Sequence, residues 1–160
     1  MEFEAIGTIR TPFTEIAEMP VQPTGAAGFA GRIELRADLV EGLRDLAGFS
    51  HIIVLYRFHR AAAPVLTVTP FLDPQPRGLF STRAPCRPNP IGLSILKLTR
   101  IDGATLFVDN VDILDGTPLL DIKPYVPAFD RPSAPVRSGW LGKDEKQVTT
   151  IRSDDRFKQD

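Results

Sequence analysis

Arginine, threonine and asparagine side chains crowd a short stretch of chain that prolines stiffen. Three prolines within six residues, at positions 85, 88 and 90, fix φ and remove backbone donors, so the stretch fits neither a helix interior nor a central strand. A stiff loop loses little entropy when it binds, and guanidinium groups pair well with carboxylates and phosphates. The pattern predicts a recognition loop for an anionic or carboxylate-bearing ligand, built from Thr82, Arg83, Arg87 and Asn89.

A second cluster, Asp112–Tyr125, reads DILDGTPLLDIKPY. Its Asp-Gly-Thr-Pro segment at 115–118 has the residue types of a turn. Carboxylates, a lysine and a tyrosine gather around this turn, at Asp115, Asp121, Lys123 and Tyr125. A ligand with a carboxylate at one end and amino or hydroxyl groups at the other would use both clusters. A turn explains Asp115–Pro118 and a solvated strand face explains Asp121 and Lys123, but neither explains why these side chains gather beside the turn, and spacing alone does not establish a ligand.

The histidines and the cysteine lack the spacing of a metal site. His51 and His59 lie eight residues apart on one predicted strand, and Cys86 is distant in sequence. We interpret His51 as a core residue and Cys86 as a small loop residue, whereas His59 ends a central strand, where sites are often built. No metal is predicted.

Composition excludes several classes of protein. The 160 residues, 42% apolar and 24% charged, suit one globular domain, and the net charge of −1 gives no overall attraction to nucleic acid. There is neither a G-x-G-x-x-G run before a helix nor a Walker A sequence, so a Rossmann-type site is not expected. The single cysteine, the absence of a signal-like start in MEFEAIG and the lack of a long apolar run predict a cytoplasmic protein without a membrane span.

Short alternating segments separated by turns must position these residues. Fifteen prolines and twelve glycines favour many short strands, Asp102-Gly103 predicts a two-residue hairpin, and Ala104–Leu114 is expected to be one long strand. Asp38–Ala47 predicts a helix with Asp38 as its cap. The fold expected is mostly β, a single-sheeted antiparallel β-barrel with one short helix. We place this domain at residues 1–142 and expect a charged, mobile tail at 143–160.

Two long motifs in the sequence resemble those of a known family. The run from Phe80 to Ser94, FSTRAPCRPNPIGLS, and the run from Asp115 to Tyr125, DGTPLLDIKPY, are similar to those of the TsaA-like (YaeB-like) family. The opening Ile6–Phe13 and the triplet Phe49-Ser50-His51 also fit, so that the resemblance covers about residues 3–127.

The resemblance implies an S-adenosylmethionine-dependent methyltransferase built on a single-sheeted β-barrel. The best-understood members act as dimers and methylate N6 of threonylcarbamoyl-adenosine at position 37 of tRNA. By matching position, the family's donor-binding residues fall on the early loop, the end of the central strand, the arginine loop and the Asp-Gly-Thr-Pro turn. They are Gln22, Pro23, Thr24, Phe58, His59, Arg60, Arg83, Leu93, Asp115, Gly116, Thr117 and Pro118.

Methyl transfer to an adenine amine also calls for a base, because the amine lone pair is delocalised into the ring. The candidates are His59, Asp115 and Asp121, and the sequence does not choose among them. Candidate tRNA contacts are Arg87, Asn89, Lys123 and Tyr125. Two alternatives stay open: the same fold and donor with another RNA or a small molecule as acceptor, and a non-catalytic module that binds the donor.

Overall fold

A computed structural model describes residues 2–17, 19–20, 23–141 and 152–158; for Pro23 and Thr24 it describes the backbone alone. Eight strands dominate the described chain. They are β1 (Gly7–Arg10), β2 (Ala30–Leu35), β3 (His51–Arg57), β4 (Thr67–Val68), β5 (Arg77–Gly78), β6 (Ile91–Asp102), β7 (Thr105–Asp109) and β8 (Thr117–Pro124).

Six of these strands close into a barrel in the order β1-β2-β7-β6-β3-β8. Every pairing is antiparallel, and β8 returns to β1 to close the ring. The Asp102-Gly103 hairpin joins β6 to β7 as predicted, with Gly103 at φ 56°. The predicted antiparallel barrel is therefore confirmed, and β4 and β5 form a separate small sheet.

The core fills the barrel interior because alternate residues of each strand point inward. On β3, Ile52, Val54 and Tyr56 are buried, whereas the residues between them are partly exposed. The long strand β6 repeats this pattern, with Leu96 and Leu98 inside. This alternation fixes which side chains of each strand can reach the interior of the barrel.

The helix predicted over Asp38–Ala47 is wrong in type and in its cap. The chain forms two 3₁₀ segments, Ala37–Leu43 and Leu46–Gly48, separated by Asp45 in a left-handed conformation at φ 68°. Asp38 lies inside the first segment and pairs with Arg36 instead of capping. In the described chain the α-helix is the single turn α1, Pro127–Asp130.

The strand predicted over Ala104–Leu114 ends at Asp109. Asn110 adopts a left-handed conformation at φ 63°, which a strand does not continue through. Residues 110–116 therefore form a loop across the end of the barrel. This correction determines where the polar residues of the Asp112–Tyr125 motif lie.

A short C-terminal segment, residues 152–158, packs on the barrel domain, whereas the sequence predicted a mobile tail from 143 onwards. Phe157 is buried beside Val68 and Leu79, and Ser153 donates its backbone N–H to Met19 at 2.9 Å. A lone phenylalanine among charged residues has no periodicity to reveal it. Residues 142–151 and 159–160 lie outside the described chain.

Within the described residues, no helix has the length and apolar character needed to cross a membrane.

Candidate active site at one end of the barrel

Three predicted clusters meet at the barrel end where β3 finishes, β6 begins and β8 begins; we call it the site end. The backbone N–H of Phe58 donates to the carbonyl of Pro90 at 2.8 Å, which joins the end of β3 to the proline-stiffened recognition loop of residues 82–90, called the proline loop from here on. His59 Nδ1 lies 3.3 Å from the hydroxyl of Thr117, which joins β3 to the Asp-Gly-Thr-Pro turn. The site end therefore brings together residues that are up to 104 positions apart in sequence, as in the hydrogen bond from Thr11 to Asp115.

The hydrogen bonds around Thr117 fix the tautomer of His59. The Thr117 hydroxyl donates its single proton to the Leu114 carbonyl at 2.7 Å, so its oxygen accepts from His59 Nδ1–H. This arrangement leaves a lone pair on His59 Nε2. Partial burial, followed by the charges of Arg60 and Arg57, lowers the pKa of His59 and keeps the ring neutral near pH 7.

Asp115 lies in the last part of loop 110–116, at the turn into β8. Its carboxylate accepts from the backbone N–H of Thr11 at 3.0 Å and lies 3.7 Å from an Arg10 nitrogen. Gly116 has φ 73°, a conformation that glycine adopts at low cost. Asp115 therefore ties the turn, including Pro118 at the start of β8, to the end of β1.

A polar chain with two buried members, Tyr56 and Ser94, and the partly buried Asp112 lies at the same end. The Ser94 hydroxyl donates to the Asp112 carboxylate at 2.7 Å and lies 3.1 Å from the hydroxyl of Tyr56. The Tyr56 ring lies over Gly92, where a Cβ would come within 2.2 Å of it, so only glycine fits there. Burial raises the pKa of Asp112 to about 6 and also raises that of Tyr56.

Arg83 brings positive charge to this polar chain. Its charge lowers the pKa of both Asp112 and Tyr56 and so partly opposes the effect of burial. Arg87 of the same loop lies along its own backbone and donates to the carbonyls of Thr82 and Ala84. Asn89 is exposed on the loop. The Phe58–Pro90 hydrogen bond and the effect of Arg83 on the pKa of Asp112 thus link the proline loop to the site end.

The early loop of the donor motif reaches the same region. Pro23–Ala26 forms a 3₁₀ turn, and Gly28 and Phe29, which follow it, bond to Asn110 and Val111 of loop 110–116. Gln22, the first residue of this predicted set, lies outside the described residues. Arg60 is held beside the loop by Thr14 and Glu15.

Four of the predicted site residues point elsewhere. Leu93 faces outward from the barrel opposite Leu55, and it is 49% exposed. Asp121 and Lys123 pair with each other at 2.6 Å further along β8. The backbone N–H of Tyr125 bonds to His51, at the start of β3 and roughly 20 Å from its end at ~3.3 Å per residue.

The polar chain of Tyr56, Ser94 and Asp112 was missed in the sequence. Its available signal was polar types at inward positions of apolar strands: Ser94 within LSIL, and Tyr56 at the third inward position of β3. Asp112 was not recognised as a loop residue because the predicted strand, Ala104–Leu114, runs through it. Cys86, interpreted as a loop residue, is buried, and burial raises the pKa of its thiol.

The described residues contain no group of three or more histidine, cysteine or acidic side chains placed to hold a metal ion.

Comparison with known protein families identifies the family of this chain. The family model of the tRNA-methyltransferase O N-terminal domain matches residues 8–131, which include the whole site end. The chain belongs to the TrmO family. The TsaA-like resemblance found in the two motifs is thereby confirmed.

Similar proteins of the TrmO family carry names that agree with each other. A probable S-adenosyl-L-methionine-binding protein of Pyrococcus abyssi is 47% identical over 155 residues, covering 97% of this chain and 84% of the relative. A tRNA (adenine(37)-N6)-methyltransferase of Escherichia coli is 34% identical over 172 residues, covering 94% of this chain and 73% of the relative.

Solved TrmO structures have the same fold. The crystal structure of TrmO from Pseudomonas aeruginosa superimposes with a TM-score of 0.72 at 38% sequence identity. The match covers 88% of this chain and 62% of the TrmO chain, so this protein spans less than two thirds of that structure.

Proposed function

We propose that this protein transfers a methyl group from S-adenosylmethionine to N6 of adenosine 37 in tRNA, with threonylcarbamoyl-adenosine as the acceptor. The observation that carries the proposal is the His59–Thr117 pair at the site end, within a chain of the TrmO family. Relatives named as donor-binding proteins and tRNA methyltransferases support the donor and the class of acceptor.

The residues of the site end fit such a donor. Arg83 supplies a cation for the carboxylate of the methionine part. Phe58 offers a half-buried ring, held at 5.3 Å from the Tyr56 ring, against which an adenine can pack. Bound there, the donor would supply an electrophilic methyl group on a sulfonium.

His59 is the base that this geometry favours. Its Nε2 lone pair is the proton acceptor, because Nδ1–H is directed at Thr117. The N6–H of a carbamoylated adenosine is more easily removed than that of a free amine, so a neutral imidazole is a suitable partner. As the methyl–sulfur bond of the donor gave way to the new carbon–nitrogen bond, with the thioether as leaving group, His59 Nε2 would accept the N6 proton and the ring would become an imidazolium.

The two carboxylates suit other roles. Asp115 is engaged by the Thr11 N–H and by Arg10, and we assign it to holding the turn. Asp121 is paired with Lys123 along β8, away from His59, and we assign it no role in proton transfer. Among the three candidate bases, His59 alone combines a free lone pair with a place at the site end.

The acceptor's anionic backbone suits the cations of the proline loop. Arg83 and Arg87 precede and follow Pro85 on a stiff segment, and Asn89 adds an exposed amide. Binding that depends on phosphate contacts weakens as salt rises. A cytoplasmic location is part of the same proposal, since the substrate is tRNA.

Transfer of labelled methyl groups to tRNA tests the function. Total tRNA from cells that lack this protein should take up label on adenosine 37, whereas tRNA made without the threonylcarbamoyl group should not. Equal labelling of both tRNAs would contradict the proposed acceptor. Labelling of neither would leave only the donor-binding module.

We propose further that two copies associate through the outer face of β6. Ile91, Leu93 and Ile95 alternate along this strand, all point outward, and each is more than a third exposed. A row of exposed apolar side chains gains from a covering surface, and the family resemblance implies dimers. Light scattering at micromolar protein should give twice the 17.6 kDa chain mass, and a monomer mass would contradict the proposal.

A further inference from the structure

Phe80 stands out on the surface because it is 74% exposed and yet firmly oriented. It occupies the middle of a 3₁₀ turn, Leu79–Ser81, whose first residue is buried in the second apolar cluster. The Thr82 backbone N–H and hydroxyl both bond to the Leu79 carbonyl, at 3.0 and 2.8 Å. The turn therefore holds the phenyl ring outward in water, at a cost in apolar exposure that no contact of the fold requires.

A cation lies against this ring. The Arg87 guanidinium carbon is 5.6 Å from the centre of the Phe80 ring. Its position is set by hydrogen bonds to two carbonyls of the same loop, at 3.1 and 3.4 Å. Among the ion pairs of the described residues none involves Arg87, so its charge is not cancelled by a carboxylate there.

A second aromatic–arginine pair is attached to the same turn. The Trp140 indole N–H donates to the Ser81 carbonyl at 2.8 Å, and the Arg77 guanidinium carbon lies 5.5 Å from the Trp140 ring. Arg77 is oriented from behind by Asp73 at 2.7 Å. Two aromatic rings, each with a guanidinium group beside it, thus flank Ser81; we call these four residues, Phe80, Arg87, Trp140 and Arg77, the Phe80 surface.

This chemistry is suited to unpaired nucleotides. A base stacks on an aromatic face or on a guanidinium plane, and the remaining guanidinium N–H groups reach the phosphates on either side. Paired bases inside a helix cannot stack in this way, so a duplex gains only the charge. The Phe80 surface leads directly along the chain into Arg83, so a strand held there would lie next to the site end.

We propose that the Phe80 surface binds the unpaired bases of an RNA loop, with Phe80 as a stacking platform for one base beside the methylated adenosine. This inference rests on the proposed function and extends it, since it names the surface that recognises the acceptor. The Phe80 ring stacks on the base, Arg87 contacts the flanking phosphate, and the Trp140–Arg77 pair borders the strand.

Binding of a fluorescent hairpin with a seven-nucleotide loop tests the inference, compared with a blunt duplex of the same stem. Phe80→Ala should weaken hairpin binding about tenfold, in line with the effect of removing one stacking aromatic, and leave duplex binding within about twofold. Phe80→Trp should restore hairpin binding. Phe129→Ala is the matched control: Phe129 is 77% exposed on α1, and its loss should change neither.

Three results would overturn the inference. They are equal hairpin affinity of Phe80→Ala and wild type, an equal loss on hairpin and duplex, and a change of particle mass in Phe80→Ala by light scattering, which would assign the surface to a second copy. Unchanged S-adenosylmethionine binding by calorimetry shows that Phe80→Ala is folded. If wild type methylates tRNA but the variant binds hairpin normally, the inference fails while the proposed function stands.

Discussion

The two ends of the barrel carry similar residue types and treat them in opposite ways. At the site end, His59, Asp112 and Tyr56 lie in or near the interior, and burial shifts the pKa of each. Opposite the middle of β3, Asp121 and Lys123 pair with each other on the outer face of β8, and at the far end Tyr125 bonds to His51, where β3 begins. Both ends draw on the same motif, Asp112–Tyr125.

The difference shows that the position of a residue in the fold, and not its membership of the motif, determines whether it contributes to the candidate site. A strand rises ~3.3 Å per residue, so four residues along β8 carry the chain from the turn to a surface more than ~10 Å away. Loops, in contrast, converge: the ends of β1 and β3, loop 110–116 and the proline loop all meet at one end. Perturbed groups concentrate where they converge, as expected of a functional site.

The largest contrast should come from the two histidines. His59→Gln should lower the turnover rate by about 100-fold or more, because it removes the proposed proton acceptor. His51→Gln, at the far end, is the control and should leave turnover within about twofold. Single-turnover methylation of tRNA measures both; equal rates for His59→Gln and wild type would remove His59 from the mechanism.

The pH profile sharpens the same contrast. Because the pKa of His59 is lowered, the ring stays neutral and able to accept a proton below the ordinary histidine value of about 6.5. The midpoint of the acid limb of the pH–rate profile should therefore lie below that value. Thr117→Val, which removes the hydrogen-bond acceptor of His59 Nδ1–H, should lower the rate and shift the midpoint of the acid limb. A wild-type midpoint above pH 7 would contradict the assignment of His59 as the base.

Arg83→Ala should show the next largest effect, on donor binding. Loss of a charge-assisted contact to a carboxylate costs on the order of 1.5–3 kcal/mol, so the Kd for S-adenosylmethionine should rise about 10- to 150-fold. Arg44→Ala is the matched control on the remote 3₁₀ region, where Arg44 contacts only Glu41 among the described residues. Calorimetry checks both variants, and an unchanged Kd in folded Arg83→Ala would place the donor elsewhere.

Much of the fold and of the candidate site could be predicted from the sequence. The proline loop, the Asp-Gly-Thr-Pro turn and the Asp102-Gly103 hairpin depend on local backbone preferences, which their residue types state directly. Two motifs specific enough to indicate a family then gave the candidate site residues by matching position. The antiparallel barrel followed from short alternating segments with frequent turns.

Long-range placement could not be predicted in the same way. Nothing in DILDGTPLLDIKPY distinguishes Asp112, which reaches Ser94, from Asp121, which pairs with Lys123. The left-handed conformation of Asn110 ends β7 early, and that of Asp45 breaks the predicted helix, although neither residue is a glycine. Both errors arise because a periodic pattern continues through a point where the backbone turns.

Asp112→Asn should produce a smaller effect, of opposite sign, on stability. The pKa of Asp112 is about 6 in the folded state against 3.8 ordinarily, so the folded state binds more protons between these values and loses stability as pH rises through them. Asparagine can still accept from Ser94 but carries no charge. The variant should therefore gain about 1–2 kcal/mol over wild type at pH 7.5 and less at pH 4.

Urea unfolding at the two pH values measures this gain. Asp121→Asn serves as the control, since its partner Lys123 is on the surface and the pair should contribute only ~0–1 kcal/mol. A gain for Asp112→Asn that does not depend on pH would show that burial of charge is not its origin.

Asp121→Asn should also give the smallest effect on activity. The carboxylate bonds to Lys123 and to the N–H of Ile122 along β8, so its removal should change methyl transfer by less than about twofold. The same single-turnover assay applies. A loss comparable to that of His59→Gln would show that the outer face of β8 belongs to the site.

The central claim, that the chemistry lies at the site end alone, is tested most directly by NMR titration with S-adenosylhomocysteine, which binds without turnover. The account predicts that the shifted backbone signals are those of Phe58–Arg60, Arg83 and Asp115–Thr117, while Asp121–Tyr125 and His51 stay unchanged. Shifts centred on Asp121–Tyr125, with Phe58–Arg60 unaffected, would contradict it.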